Sequence, residues 1–220
     1  MILLIESNAF GHVEKSTFQN QGDFNSGIIY LTSGDKIECE LKYNVQSNIV
    51  YGKMDDQDTK AFAADMVIYF ETLVEEIRTK FYSLPFDFFK TGRPEYYFFQ
   101  VIYENNDLFV LSNYSLSIHN TKDISTGRSL SELSKNEHIY LVQGSSGLKP
   151  FLRAVGYYNN ELQNQRKVKT YKILDRDLPE TFFGNYYHDI ISYMKYEKLK
   201  FKRISDLSRI MSYYSELKNE

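Results

Sequence analysis

Residues 27–43 read Gly27-Ile-Ile-Tyr-Leu-Thr-Ser-Gly34-Asp35-Lys-Ile-Glu-Cys39-Glu-Leu-Lys-Tyr43, and this stretch decides the fold class. Gly34 accepts a positive φ at no steric cost, and a neighbouring Asp bonds nearby backbone, so Ser33-Gly34-Asp35 is a tight turn. After it, Ile37, Cys39, Leu41 and Tyr43 alternate with Lys36, Glu38, Glu40 and Lys42. A period of two with one apolar and one charged face predicts an antiparallel strand on a half-buried sheet.

Working outward, Asn48–Met54 continues the sheet as a third strand, and Asp55-Asp56-Gln57-Asp58 turns it. Lys60–Glu71 mixes helix-tolerant alanines with the strand-like Met66–Phe70, and is read as a turn at Ala64-Asp65 followed by a strand. Residues 73–82 give another strand. Pro85 and Thr91–Pro94 punctuate a loop. Tyr96–Tyr103 is an unbroken apolar run of the kind that forms a central strand buried on both faces. Glu104–Asp107 turns it back into Leu108–Leu111. Residues 112–137 are rich in Ser, Asn, Thr and Lys and read as a long mobile excursion. His138–Gln143 and Leu148–Val155 pair around Gly144-Ser-Ser-Gly147, and Lys167–Leu174 supplies a last strand.

From 175 the period changes. Asp177-Leu-Pro-Glu180 reads as a capped helix start, with Phe183, Tyr186, Ile190 and Tyr193 on one face. Ser205 reads as the N-cap of a second helix, with Leu207, Ile210, Met211 and Tyr214 on its apolar face. The expectation is an α+β protein, an antiparallel β-sheet or partly open barrel followed by two C-terminal helices. Its parts are a leader or flexible arm (1–26), a β-rich domain (27–174) and a helical segment packed on it (175–220).

The strand-Gly34-Asp35-strand opening, the Thr181-Phe-Phe-Gly-Asn-Tyr186 stretch and the paired Tyr213-Tyr214 resemble a group of exported Bacteroidota proteins of unassigned activity. The resemblance implies a periplasmic, envelope-associated or secreted protein, and it carries no functional residues. Met1-Ile-Leu-Leu-Ile5 before Glu6 reads as the tail of a signal segment or as a first strand.

Several chemistries are disfavoured. At a formal charge of -3 the chain has no field that calls for nucleic acid. A single cysteine, Cys39, excludes an internal disulfide and a thiolate metal set, and its place on the apolar face reads as core. His12, His119, His138 and His188 have no zinc spacing. Asp55, Asp56 and Asp58 lack the glycine and terminal glutamate of a calcium loop. Gly144–Gly147 matches neither a nucleophile elbow nor a phosphate loop. No catalytic, cofactor-binding or metal-ligating set stands out, and no transmembrane segment. Lys195, Lys198, Lys200, Lys202 and Arg203, interleaved with Tyr193, Tyr196 and Phe201, form a basic stretch (195–203) that reads first as a solvated helix end whose cations complement the dipole, and otherwise as a contact for nucleic acid or an anionic surface. The expected function is non-catalytic binding or structural. The alternatives are a cytoplasmic inhibitor- or immunity-type module, or an enzyme whose carboxylates converge from distant strands.

Overall fold

A computed structural model describes residues 24–54, 58–74, 77–122, 129–158 and 170–219. It is α+β. An 11-stranded antiparallel sheet, ordered β11-β10-β9-β8-β7-β6-β5-β1-β2-β3-β4, precedes the helices. The strands are β1 (Asn25–Leu31), β2 (Lys36–Asn44), β3 (Ile49–Lys53), β4 (Thr59–Ala63), β5 (Val67–Val74), β6 (Ile77–Phe86), β7 (Glu95–Asn105), β8 (Leu108–Lys122), β9 (Ser129–Gln143), β10 (Lys149–Tyr158) and β11 (Thr170–Ile173). The helices are α1 (Leu178–Phe183), α2 (Tyr187–Tyr196) and α3 (Ile204–Asn219).

The 27–43 hairpin forms as its pattern dictates, with Gly34 at φ 95 in the turn and Leu41 and Tyr43 buried. β1 begins at Asn25, two residues inside the expected arm.

The first half of the sheet has to curl. β4 and β5 are separated by four strand spacings, about 19 Å if flat. Only the 3-10 turn Ala64–Met66 joins them, and the four residue steps from Ala63 to Val67 reach at most about 14 Å. Strands β1–β6 therefore wrap around Ile29, Leu41, Tyr43, Val50, Phe62, Phe70 and Phe81. Ser83 Oγ donates to the Ala64 carbonyl and ties the turn to β6.

The curl closes on β7 through side chains. Asn48, at φ 55 in the β2–β3 turn, donates through Nδ2 to the Tyr96 carbonyl (2.9 Å) and accepts from Phe98 N–H through Oδ1 (3.2 Å). Asn113 Nδ2 donates to the Phe98 carbonyl at 2.9 Å. Two amides thus occupy backbone groups of β7 at the point where its ladder with β8, ending at Gln100↔Ser112, gives out.

The other half is covered by helices. Val110, Ile139, Leu141 and Leu152 pack under Phe182, Phe183, Ile190, Leu207, Ile210 and Met211. On the sheet's outer face, Phe99, Leu111 and Tyr140 form a third cluster with Phe88 of the 87–94 loop.

Four expectations are corrected. Residues 112–137 are no excursion: apart from 123–128, which lie outside the described residues, they form most of the β8–β9 hairpin, paired from Leu108↔Gln143 to Lys122↔Ser129. Their Ser and Asn content imitates a loop, yet Ser112, Asn113, Asn136 and Glu137 are buried in the ladder. Pro85 belongs to β6, beyond the Tyr69↔Tyr82 pair where β5 pairing stops, so its missing N–H breaks no ladder bond. The first helix is split at Gly184 (φ 54), and Asp177 stands at its start without a side-chain cap bond. Ser205 is inside α3 rather than before it. Residues 60–63, read as ambiguous, are the end of β4.

Candidate functional site

The inner face of the sheet can be followed as one row of cross-strand partners. It runs from Ile37 through Ile29, Phe70 and Phe81 to Gln100 and Ser112, then to Ile139, Leu152 and Ile173. Everything in it is apolar except the adjacent pair Gln100 and Ser112. Both are buried, at 5% and 1% exposure. Gln100 Oε1 and Ser112 Oγ have no hydrogen-bond partner among the described residues, and neither do the enclosed Thr72 Oγ1 and Tyr103 OH. Tyr103 faces Val110, the next inner residue of β8 after Ser112, and Thr72 is the next inner residue of β5 after Phe70.

Gln100 and Ser112 lie where the inner row passes from the curled cluster at Phe81 to the helix-covered one at Ile139, and Thr72 stands on β5, two strands from β7. A single domain ordinarily builds one contiguous core, so a polar belt between two clusters is a departure. Each buried orphan costs about 1–3 kcal/mol. Four of them would consume a large part of the roughly 5–15 kcal/mol that stabilises a domain. A belt of this kind is a place for water or ligand.

One row away is Glu137, 2% exposed and the only buried charged side chain among the described residues. It pairs with Tyr114 across β8, and its Oε2 accepts from Tyr171 OH at 2.8 Å. Burial pushes the Tyr171 phenol well above its ordinary range, and the Glu137 carboxylate adds to the effect. That hydroxyl stays a donor. Nothing local in the chain signals the arrangement, because β8, β9 and β11 meet only through the ladder.

The outer face carries a stripe of tyrosines. Tyr30 and Tyr69 stack at 4.2 Å. Lys80 Nζ lies 4.4 Å from the Tyr82 ring centroid and 3.1 Å from Glu104 Oε2. Tyr82 OH donates to Glu104 Oε1 at 2.6 Å. Burial raises the Tyr82 phenol, reinforced by Glu104. These side chains satisfy one another.

The basic stretch is built on the end of α2. Leu199 N–H donates to the Met194 carbonyl (2.8 Å) and Lys198 N–H to that of Lys195 (3.4 Å), the paired bonds of a Schellman helix end. Met194 and Leu199 are both buried in the helix-covered cluster, which supplies the apolar contact of that motif. Its left-handed position, ordinarily a glycine, is Lys198 at φ 56. Phe201 anchors the turn against Phe151 (5.7 Å) and Phe183 (5.9 Å). Lys195, Lys198, Lys200 and Lys202 are exposed and have no ion pair among the described residues; Glu197 is taken by Arg209, and Arg203 faces Asp206 at 3.9 Å. Tyr196 is 83% exposed.

The other candidates disperse. Cys39 is half-buried against the curled core, beside Gly52, and burial raises its thiol pKa. His138 is on the outer face opposite Arg153; burial lowers its pKa and that guanidinium lowers it further. His188 is exposed on α2, and His119 falls in β8. His12, Asp55 and Asp56 lie outside the described residues, and Asp58 is exposed. Gly144–Gly147 is a turn, with both glycines at positive φ. Of Tyr96–Phe99, Phe98 enters the curled core and Phe99 the outer cluster, while Tyr96 is half-exposed. Among the described residues no three His, Cys, Asp or Glu side chains gather as a metal set, and no helix is long and apolar enough to cross a membrane. Compared with protein-family models, with curated proteins and with solved structures, the chain matches none.

Proposed function

We propose that this is a non-catalytic binding protein that works at an anionic envelope surface through residues 195–203. The observation that carries the reading is Lys198. A non-glycine residue in the left-handed region costs about 1–2 kcal/mol, and a lysine there places a cation at the apex of a rigid turn. Strain kept in an exposed turn points to a use for the side chain. Lys195, Lys200 and Lys202 surround it, next to the most exposed aromatic ring, Tyr196.

The charge is local. The chain carries -3 and residues 195–203 carry +4, which leaves -7 for the remainder. A flat anionic surface meets only the turn, whereas a polyanion lying along the molecule meets the acidic remainder. Four lysines rather than arginines also suit headgroups better than planar base or phosphate recognition. At about 1 kcal/mol per lysine near such a surface, the contact supplies about 4 kcal/mol, an affinity in the millimolar range that salt dissolves. Glu137 bonded to Tyr171, and histidines spread over separate faces, support the non-catalytic part of the reading.

Co-sedimentation with phosphatidylcholine vesicles, with and without phosphatidylglycerol, tests it. Binding should require the anionic lipid, fall with salt, and weaken in Lys200→Glu. Lys198→Gly is the sharper variant: it should raise Tm while lowering vesicle binding. Equal partition onto neutral vesicles, unchanged binding in both variants, or tighter retention on oligonucleotides than on vesicles would overturn the reading.

A further inference from the structure

We infer that Tyr30 and Tyr69 form an oxidative cross-linking site, at which a haem peroxidase and hydrogen peroxide join the two rings, ortho carbon to ortho carbon, as dityrosine. The inference is independent of the surface reading above.

The two rings are already placed for coupling. Tyr30 and Tyr69 are direct cross-strand partners on β1 and β5, and residues so paired hold their Cβ atoms about 4.5–5.5 Å apart. Their rings stack with centroids 4.2 Å apart and planes 21° apart. The phenol ends lie together, since hydrogen bonding and charge from Tyr30 both act on the Tyr69 hydroxyl. Stacked rings with neighbouring hydroxyls bring the flanking ortho carbons face to face. The next ring of the stripe, Tyr82, lacks this register: it is 5.8 Å from Tyr69 and tilted by 59°. Tyr30 and Tyr69 are both part-exposed on the outer face, open to electron removal from outside.

The place gives the bond a use. Among the described strands, β1 and β5 are the one laddered pair that is not consecutive in the chain. A bond between them closes a loop of about 40 residues, and closing a long loop takes the most entropy from the unfolded chain. With Cys39 as its single cysteine, the chain has no internal disulfide to do this. In the reaction each phenol gives one electron and its O–H proton to the peroxidase, which passes them to the peroxide. The two phenoxyl radicals form one C–C bond, and the hydrogen on each coupled carbon shifts to its own ring oxygen, restoring both phenols. Two tyrosines and one hydrogen peroxide become one dityrosine and two waters.

The test treats the full chain, dilute enough to favour reaction within one molecule, with horseradish peroxidase and hydrogen peroxide. The monomer is then isolated, read for dityrosine fluorescence and mapped by peptide mass spectrometry. Peptides carrying Tyr30 and Tyr69 should be joined with the loss of two hydrogens, and the treated monomer should melt about 5–15 °C above the treated Tyr69→Phe variant. That variant keeps its ring in the stack and should lose the joined peptide. Tyr193→Phe removes a hydroxyl from the other close tyrosine stack, Tyr193 on Tyr213 at 4.1 Å, and should leave the Tyr30–Tyr69 product unchanged. The inference is overturned if the monomer carries no dityrosine, if its dityrosine maps to other tyrosines, or if Tyr69→Phe matches the parent in joined peptide or in Tm.

Discussion

Gly27 stands where β2 and β5 leave no room for a side chain on β1, and Gly27→Ala measures how closely those strands pack. Gly27 pairs with Cys39 of β2 on one side and with Thr72 of β5 on the other. A Cβ placed there would lie 2.9 Å from Leu41 Cγ, and nearer still to Leu41 Cδ2 and to the Glu71 carbonyl oxygen. Leu41 can rotate away. The carbonyl cannot, because β5, which carries it, is laddered to β1 on one edge and to β6 on the other, and moving it disrupts both ladders. Overpacking of this kind costs about 1–3 kcal/mol, and the fixed obstacle puts the cost at the upper end. Replacing glycine restricts the unfolded chain and returns about 0.4–1 kcal/mol. The net loss is about 2 kcal/mol, and at this length each kcal/mol moves Tm by about 2–4 °C, so Tm should fall by about 4–8 °C. Gly52→Ala is the control. Its nearest neighbours would be Cys39 Sγ at 3.0 Å and Phe62 Cε2 at 3.3 Å, both side-chain atoms able to yield, so its cost should stay below about 1 kcal/mol. Urea and thermal unfolding of the two variants decide the matter. If Gly27→Ala melts no lower than Gly52→Ala, the two-sided clamp is not there.

Two further outcomes are expected. Asn48→Ala, and equally Asn48→Gly, which keeps the left-handed turn, should lose about 1–3 kcal/mol, because the Phe98 N–H and Tyr96 carbonyl lose the amide that holds them; hydrogen exchange at the Phe98 amide should accelerate in both, and normal protection would refute the amide plug. Alkaline titration should expose the buried phenols. Burial, then hydrogen bonding and charge from Tyr30, push Tyr69 from 10.0 up to about 12, and burial raises Tyr43, Tyr140 and Tyr171 further. The unfolded chain releases these protons first, so the stability they contribute is whole below about pH 10 and declines as pH rises above it. Absorbance at 295 nm should show part of the tyrosine ionising only as the protein unfolds, and complete ionisation of the native protein near pH 10 would contradict the burial.

What the sequence discloses here follows how local each signal is. β2 is legible because Ile37, Cys39, Leu41 and Tyr43 face a core while their neighbours face water, and alternation reports that directly. α3 is legible for the same reason at a different period: Leu207, Ile210, Met211 and Tyr214 are the residues it buries. β8 and β9 are illegible because Ser112, Asn113, Asn136 and Glu137 are polar residues buried in the ladder, Asn113 and Glu137 held by partners on other strands, and composition reads them as loop. The curl escapes as well, since it depends on a short β4–β5 connection and on Asn48 meeting β7 about 50 positions later. The belt is a relation between Gln100 and Ser112 across a ladder, and neither residue signals it alone.

The order of elements also sets a timetable. The curled half closes with residues 25–114, so it can form while the rest of the chain is still being made. Its neighbour cannot. Val110, Ile139, Leu141 and Leu152 await Leu207, Ile210 and Met211, and the α3 contacts to β7 span 106 and 110 positions. At about 5–20 residues per second, the roughly 60 residues between Leu152 and Tyr214 take about 3–12 s to emerge from the ribosome. For those seconds a broad apolar sheet face has no cover, and nascent chains of this protein should be clients of holdase chaperones until α3 arrives.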